Sequence, residues 1–319
     1  MTRRQSIRLV WEAKALLLTL VLAVWAACVT RQFLTGANIS SIFLSMSVEG
    51  AIAVGMAYVL IAGEIDLSVG ATMALSAVLA ILTQQYGVIA GVSAAVGGGL
   101  LVGLVNGILV AKCKLDSIPT TLGMMVLLQG LVFVLTGSES IRGDNPAFLS
   151  LAHTQVLGIP FPVLLFLAFC AVFEFILRGT HFGHNMYAVG GNAKASRLHG
   201  ISVERVKLQV FCISGGLSGL AGALLAAKLN IATGQVGFYT LLNVITAVLL
   251  GGVSLAGGRG SVMHALQGFL LIAVLNNVLV LTRVPSFVQQ VILGLILIGI
   301  VILDSVQQRR LRFHAARKY

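Results

Sequence analysis

Charge is scarce in this 319-residue chain, because Asp, Glu, Lys and Arg together make up only 10% of it. An average soluble domain contains about 25%. Acidic residues number only 10, whereas hydrophobic residues make up 58% of the sequence, and the mean hydropathy is +1.00. This composition excludes an ordinary soluble protein and predicts an integral membrane protein.

Two further absences narrow the function. The four cysteines are widely separated, show no metal-ligand spacing or disulfide framework, and are interpreted as packing residues. The sequence contains no Gly-x-x-x-x-Gly-Lys-Ser/Thr phosphate-binding loop, so any ATP-driven work requires a separate polypeptide. We therefore expect no metal, no cofactor and no catalytic residue in this chain.

The apolar sequence divides into stretches long enough to cross a bilayer, which takes roughly 20 residues each. None shows the strict alternation of a membrane barrel. The predicted fold class is an all-α polytopic membrane protein, with residues 1–319 forming one transmembrane domain. We expect the first stretch to be a retained helix, because it lacks a small-residue cleavage site. The ten predicted spans are 15–34, 41–62, 67–84, 88–111, 119–136, 157–177, 207–227, 241–256, 263–281 and 287–304.

The distribution of basic residues supports this count. If the N-terminus is cytoplasmic, seventeen of the 21 Lys and Arg residues lie in inside segments, as the positive-inside rule requires. Both termini are therefore predicted to be cytoplasmic, including segment 1–14 and the basic tail 305–319. The net charge of +11 then reflects topology and lipid headgroups, and we do not expect nucleic-acid binding. The four outside residues are Arg31, Arg142, Lys228 and Arg283.

A polar insert, residues 178–206, separates spans six and seven. Asn192 suits a helix N-cap and Gly200 a C′ stop, so about two helical turns are predicted between them. Ser202 is predicted to cap the next helix, with Glu204 in its first turn. Such a short capped helix is either an ordinary loop helix or a docking element for another protein.

Four segments resemble permease subunits of bacterial ABC importers of the ribose and pentose type. In order, they are "GEIDLSVG", "LVNGILVAKCKLDSIPTTLG", "THFGHNMYAVGGNAKASRLHGISVERVK" and "ITAVLLGGVSLAGGRGS". The resemblance runs from about Val48 to Asp304. It implies a multipass subunit of the bacterial inner membrane, through which a monosaccharide such as ribose, xylose or arabinose passes.

The resemblance also implies partners. These are a second permease copy, ATPase subunits and a periplasmic sugar-binding protein. The insert would carry a coupling helix, Asn192–Gly200, seated in a groove of the ATPase. The residues expected at that contact are Gly191, Asn192, Ala195, Arg197, Leu198 and Gly200.

This chain departs from the family pattern at several positions. Glu64 stands where a glycine is usual, and His264 occupies another glycine position. Acidic residues often precede the isoleucine that corresponds to Ile245, but here Leu241 and Asn243 stand there. These changes bear on the identity of the substrate.

Polar residues within or beside apolar spans are candidates for lining the passage. Asp66 is predicted to N-cap span three through the amide of Ser68 or Val69, with sugar contact as the alternative. Glu64 is predicted to be solvated or paired with a basic neighbour. The candidate pathway residues are Glu49, Asp66, Ser68, Asn106, Thr120 and Asn276.

The remaining intramembrane polar residues have open interpretations. Glu174 lies four residues before Arg178, which permits an ion pair on one helix. Glu49 has no such neighbour, so it either lines the passage or pairs across helices. Asn106 either packs between helices or contacts sugar, and the glycines from Gly97 to Gly107 favour close helix packing. A weak internal echo relates Asn106 to Asn276.

Two other functions compete with the importer subunit. An ion-coupled secondary carrier of small polar solutes is also multipass and glycine-rich, but it usually needs acidic residues near mid-membrane, where only Glu49 is suitably placed. A channel without an energy source would have no evident use for the capped cytoplasmic helix.

The charge asymmetry generates a topological prediction. A cysteine at Asn192 should react with an impermeant thiol reagent only from the cytoplasm, and a cysteine near Gly143 only from the periplasm. Labelling of intact cells and of inverted vesicles measures both. Periplasmic labelling at Asn192 would contradict the proposed orientation.

Overall fold

The computed structural model describes residues 14–234 and 237–316, with side chains described up to residue 303. Predictions that concern the N-terminal segment and the side chains of the basic tail therefore lie outside the described residues. The helices are α1 Lys14–Val29, α2 Gly36–Ile61, α3 Val69–Thr83, α4 Val88–Gly107, α5 Ser117–Thr136, α6 Pro146–His153, α7 Phe161–Gly179, α8 His181–Gly191, α9 Ala193–Leu198, α10 Val203–Leu229, α11 Gly237–Gly251, α12 Val262–Leu281 and α13 Ser286–Ala316.

The all-α membrane architecture predicted from composition is confirmed. Within the described ranges, 8 helices are long and apolar enough to cross a membrane, and α1 and α11 are shorter apolar helices. Each of these helices coincides with one predicted stretch. The total of ten spans and the cytoplasmic location of both termini remain predictions.

Several predicted boundaries were wrong, and the backbone gives the reasons. The first helix ends at Val29 rather than near residue 34, because residues 31–34 form a turn. The eighth ends at Gly251, where Gly252 follows with a φ of +107° that continues no right-handed helix. Helix α4 changes to a π-helical turn over Ile108–Lys112.

The centre of the bundle is formed by α2, α3 and α10. In their apolar parts 83%, 72% and 72% of the residues are buried, against 17% for α5 and 6% for α13. The two exposed helices carry large apolar side chains outward, among them Val126, Val134 and Leu295. A membrane environment accounts for this pattern, because lipid covers apolar faces that water would not.

Glycines allow the central helices to approach closely. A Cβ on Gly99 would lie 2.2 Å from the carbonyl oxygen of Gly215, and one on Gly103 would lie 2.3 Å from that of Phe211. The backbones of α4 and α10 therefore touch without intervening side chains. This confirms the close packing predicted from the glycine-rich stretch of α4.

The segment between α5 and α7 and the loop after α10 contain elements too short to predict from the sequence. Strand β1 (Ile141–Arg142) pairs antiparallel with β4 (Ile231–Ala232), and β2 (Gln155–Val156) pairs with β3 (Ile159–Pro160). Helix α6 lies between β1 and β2 in the sequence. Asn145 caps it by accepting a hydrogen bond from the amide of Ala147. The β1–β4 pair joins the loops that follow α5 and α10.

A glycine contact also ties the polar insert to the membrane helices. A Cβ on Gly190, at the end of α8, would lie 1.8 Å from the carbonyl oxygen of Ile61 and 2.7 Å from the amide nitrogen of Gly258. The same Ile61 oxygen accepts a 2.9 Å hydrogen bond from Gly258. The end of α2, the end of α8 and the loop before α12 therefore meet at one crossing of three backbones.

This crossing predicts different effects for two adjacent glycines. Gly190→Ala should destabilise the protein by about 1–3 kcal/mol, because backbone atoms must move to admit the methyl group. Gly191→Ala is the matched control, since nothing lies within 4 Å of its added Cβ. Thermal unfolding in detergent measures both. Equal melting temperatures for the two variants would contradict the packing described.

Candidate functional site

The loop between α2 and α3, residues 62–68, is organised around the buried carboxylate of Asp66. Its Oδ1 accepts hydrogen bonds from the amide of Ser68 at 3.0 Å and from the Ser68 hydroxyl at 2.6 Å. Its Oδ2 accepts one from the Ser214 hydroxyl at 3.1 Å. Asp66 is 2% exposed, so these donors replace the water that an isolated carboxylate would require.

The capping prediction for Asp66 was partly right. The carboxylate does accept from the amide of Ser68, but Ser68 itself occupies the N-cap position, because the helix begins at Val69. Asn106 of α4 completes the group by donating to the Ser68 hydroxyl at 2.9 Å. Three predicted residues, Asp66, Ser68 and Asn106, thus lie in one buried cluster with Ser214, which the sequence analysis had missed.

The first turn of α5 holds the same loop from the other side. The amide of Leu67 donates to the Thr121 hydroxyl at 3.0 Å, and that of Ile65 donates to the Ser117 hydroxyl at 3.3 Å. The predicted Thr120 makes neither contact, and its hydroxyl donates to the Asp116 carbonyl in its own helix at 2.6 Å. The adjacent Thr121 faces the loop because successive residues of a helix point in different directions.

The short helix in the polar insert has the predicted ends. Asn192 is its N-cap and accepts a 3.0 Å hydrogen bond from the amide of Ala195. Gly200 has a φ of +81°, and the amides of Gly200 and Ile201 donate to the carbonyls of Arg197 and Ser196. This pair of bonds is the Schellman motif. Helix α9 is therefore closed by hydrogen bonds at both ends.

The exposed side of α9 combines charge with an apolar tip. Leu198 is 89% exposed, and Arg197 forms an ion pair with Glu204 in the first turn of α10. Ser202 is the N-cap of α10 as predicted, but its side chain makes no capping hydrogen bond. The Arg197–Glu204 pair instead joins the two helices across the glycine turn.

Two contacts connect the insert to the loops between membrane helices. The Tyr187 hydroxyl of α8 donates to the carbonyl of Gly260 at 2.7 Å. Burial and the nearby Glu174 carboxylate raise the pKa of Tyr187, which keeps the phenol protonated as a donor. Glu64, at the end of α2, forms an ion pair with Lys207, which confirms the predicted basic partner.

Glu174 forms the ion pair with Arg178 that its spacing predicted. Its Oε2 also accepts a 2.9 Å hydrogen bond from the amide of Val262, the first residue of α12. A carboxylate at a helix N-terminus is favoured by the free amides and the helix dipole. Glu174 therefore has a structural role between α7 and α12.

The other predicted pathway residues form a second group, joined across α2, α11 and α12. Asn243 donates to Glu49 Oε2 at 3.3 Å, and Asn276 donates to Asn243 Oδ1 at 3.4 Å. Lys228 donates to the Ser45 hydroxyl at 3.2 Å, and Ser45 lies one helical turn from Glu49 on the same face of α2. Glu49 thus pairs across helices, one of its two predicted alternatives.

Comparison with known proteins gives a family match over residues 38–301. The matching model describes the permease component of branched-chain amino acid transport systems. The chain belongs to this family. No solved structure matches the chain significantly.

Curated members of this permease family are similar to the chain over nearly its whole length. The L-arabinose ABC transporter permease protein AraH of Azospirillum brasilense is 37% identical over 92% of this chain and 87% of the relative. The L-arabinose transport system permease protein AraH of Escherichia coli K12 is 34% identical over 95% of this chain and 93% of the relative. The ribose import permease protein RbsC of Bacillus subtilis is 38% identical over 89% of each chain. The resemblance drawn from the four motifs is confirmed.

The residues missed by sequence reasoning share one property within this permease. Ser214, Thr121 and Asn243 are polar residues inside apolar helices, and each is at most 5% exposed. A serine or threonine in such a helix usually bonds its own backbone, so nothing in the sequence distinguished Ser214 or Thr121. Asn243 could have been found, because it stands where the family often has an acidic residue.

The Asp66 cluster predicts that replacing Asp66 destabilises the protein more than replacing Asp116 does. Asp66→Ala should destabilise the protein by about 3–5 kcal/mol, because buried donors lose their charged acceptor. Asp116→Ala is the control, since Asp116 is exposed and caps α5 by accepting from the amide of Ile118; it should cost about 1 kcal/mol. Thermal unfolding in detergent compares them. A smaller loss at Asp66 than at Asp116 would contradict the role assigned to the cluster.

Proposed function

We propose that this chain is the membrane-spanning subunit of an ATP-driven importer that moves a monosaccharide of the pentose class across a bacterial inner membrane. The main support for this proposal is the similarity, over nearly the whole chain, to permeases named for L-arabinose and ribose transport. The intramembrane polar groups described above suit an uncharged, hydroxyl-rich solute. A periplasmic binding protein delivers the sugar.

The energy comes from a separate ATPase, since the chain lacks a phosphate-binding loop. In this proposal α9 is the coupling helix. Support comes from its two closed ends, from Leu198 and from the surrounding basic residues Lys194 and Arg197. An exposed leucine flanked by Lys194 and by Arg197, which pairs with Glu204, fits a groove with an apolar floor and an acidic group at its rim.

The junctions between the insert and the membrane helices suit the transmission of force. Gly190 contacts the end of α2, Tyr187 holds the loop before α12, and Lys207 pairs with Glu64. A displacement of α9 would therefore reach α2, α10 and α12 together. We propose that a second copy of this chain completes the membrane part of the transporter.

Leu198→Asp tests the docking assignment. Because Leu198 is almost fully exposed, the substitution should leave folding unchanged, and the desolvated charge should reduce copurification of the ATPase at least tenfold. The control is Leu157→Asp, at the tip of the β2–β3 hairpin, where the leucine is 99% exposed. ATPase recovery and ATP-dependent uptake should be normal in that control.

Two further variants separate coupling from local structure. Arg197→Glu breaks the pair with Glu204, and the exchange Arg197→Glu with Glu204→Arg restores it. If Arg197 matters through its ATPase contact, the exchange should not recover transport. Sugar uptake into vesicles that carry a proton or sodium gradient but no ATP, undiminished by Arg197→Glu, would instead support an ion-coupled carrier and overturn the proposal.

A further inference from the structure

A row of polar residues leads from the outer end of α2 into the bundle. Ser41, Ser45 and Glu49 follow one another at four-residue intervals and so share one face of the helix. Ser41 is exposed, Ser45 and Glu49 are partly exposed, and the next residue of the row, Ala53, is fully buried. The accessible part of this face therefore ends at Glu49, about 20 Å along the helix axis from Gly36.

The polar row cannot face lipid, because it carries an acidic residue and lies against a basic one. Lys228 binds Ser45, one helical turn from Glu49, and both charged side chains are partly exposed. Charged groups at this depth in membrane proteins face the bundle interior or a water-filled cavity. Partial exposure of both charged side chains fits the second of these alternatives, a water-filled cavity open towards the Gly36 end of α2, which the predicted topology places outside.

The side chains linked to Glu49 include a buried acceptor without a hydrogen-bond partner. Among the described residues, Asn276 Oδ1 is buried and has no hydrogen-bond partner, and Glu49 Oε2 accepts one hydrogen bond, from Asn243 at 3.3 Å. The Glu49 and Asn276 side chains are linked through Asn243, so the two acceptors belong to one group. Lys228 adds a donor on the outer side. The group offers acceptors for hydroxyl protons and one donor for a hydroxyl oxygen.

We propose that Glu49, Asn243, Asn276 and Lys228 form a transient binding site for the hydroxyl groups of a neutral sugar on its way through the membrane. The site contains one acidic and one basic side chain and so has no excess of either charge, which suits a neutral polyol better than a sugar acid or a sugar phosphate. This inference rests on the proposed function and names the residues that would contact its substrate. Lys228 and Asn243 are assigned to the passage in addition to Glu49 and Asn276.

Thiol accessibility tests the opening without requiring the substrate. In a variant whose four native cysteines are replaced by serine, Ser41→Cys, Ser45→Cys and Asn276→Cys should react with a charged, impermeant methanethiosulfonate added outside. Ser47→Cys is the control, because Ser47 lies two residues further on the same helix and is fully buried. Equal, slow reaction at Ser45→Cys and Ser47→Cys would overturn the opening.

Uptake tests the binding role. Cells that express the complete transporter are supplied with radiolabelled L-arabinose or D-ribose, and uptake is expressed per amount of folded permease. Glu49→Gln keeps the size of the side chain but weakens its acceptor, and it should lower the maximal uptake rate at least tenfold. The matched control Glu139→Gln, at an exposed position, should leave the rate unchanged.

Uptake of a neutral sugar and of the corresponding sugar acid tests the selectivity of the site. Lys228→Met removes the basic side chain of the site, so it should reduce uptake of the neutral pentose at least fivefold. The variant should also fail to take up the corresponding sugar acid, a pentonate. Normal uptake in both Glu49→Gln and Lys228→Met would overturn the binding site while the importer function stands. Absence of ATP-dependent uptake in the unmodified transporter would contradict the proposed function itself. The thiol reaction would then still decide whether the opening exists.

Discussion

The buried carboxylate of Asp66 is the interaction on which the centre of the bundle depends. It lies in the loop between α2 and α3 and accepts hydrogen bonds from Ser68 and from Ser214 of α10, while Asn106 of α4 binds the same Ser68 hydroxyl. Four helices are therefore held in fixed positions by one anion and its donors. Apolar packing alone discriminates weakly between helix positions in a membrane, because lipid is as apolar as the side chains.

The same loop also faces the polar insert, residues 178–206, and this explains why a polar sequence stands between two apolar ones. Glu64, two residues before Asp66, pairs with Lys207 at the start of α10. Gly63 lies beside Gly190 and Gly257, where three backbones cross. Glu64 occupies a position where the family usually has glycine. The position tolerates glutamate because Lys207, near the N-terminal end of α10, neutralises the side chain.

Much of this architecture was predictable from the sequence, for identifiable reasons. Apolar length gave the helices, and Asn192 and Gly200 gave the ends of α9, since caps are local signals. The partners of Glu64 and Glu174 were also anticipated in kind. What could not be predicted depends on contacts between distant segments. Ser214 meets Asp66 across 148 positions of sequence, and the choice of Thr121 over Thr120 depends on the rotation of α5.

The carboxylates of Asp66 and Glu49 differ in exposure and in the number of hydrogen bonds that they accept. Asp66 is 2% exposed, and both of its oxygens accept hydrogen bonds from donors at 3.1 Å or less. Glu49 is partly exposed and accepts from Asn243 at 3.3 Å. A fully satisfied buried anion fixes its surroundings, whereas a partly satisfied one keeps capacity for another donor. A passage requires binding that is weak enough to be reversed, so the proposed sugar contact suits Glu49 better than Asp66.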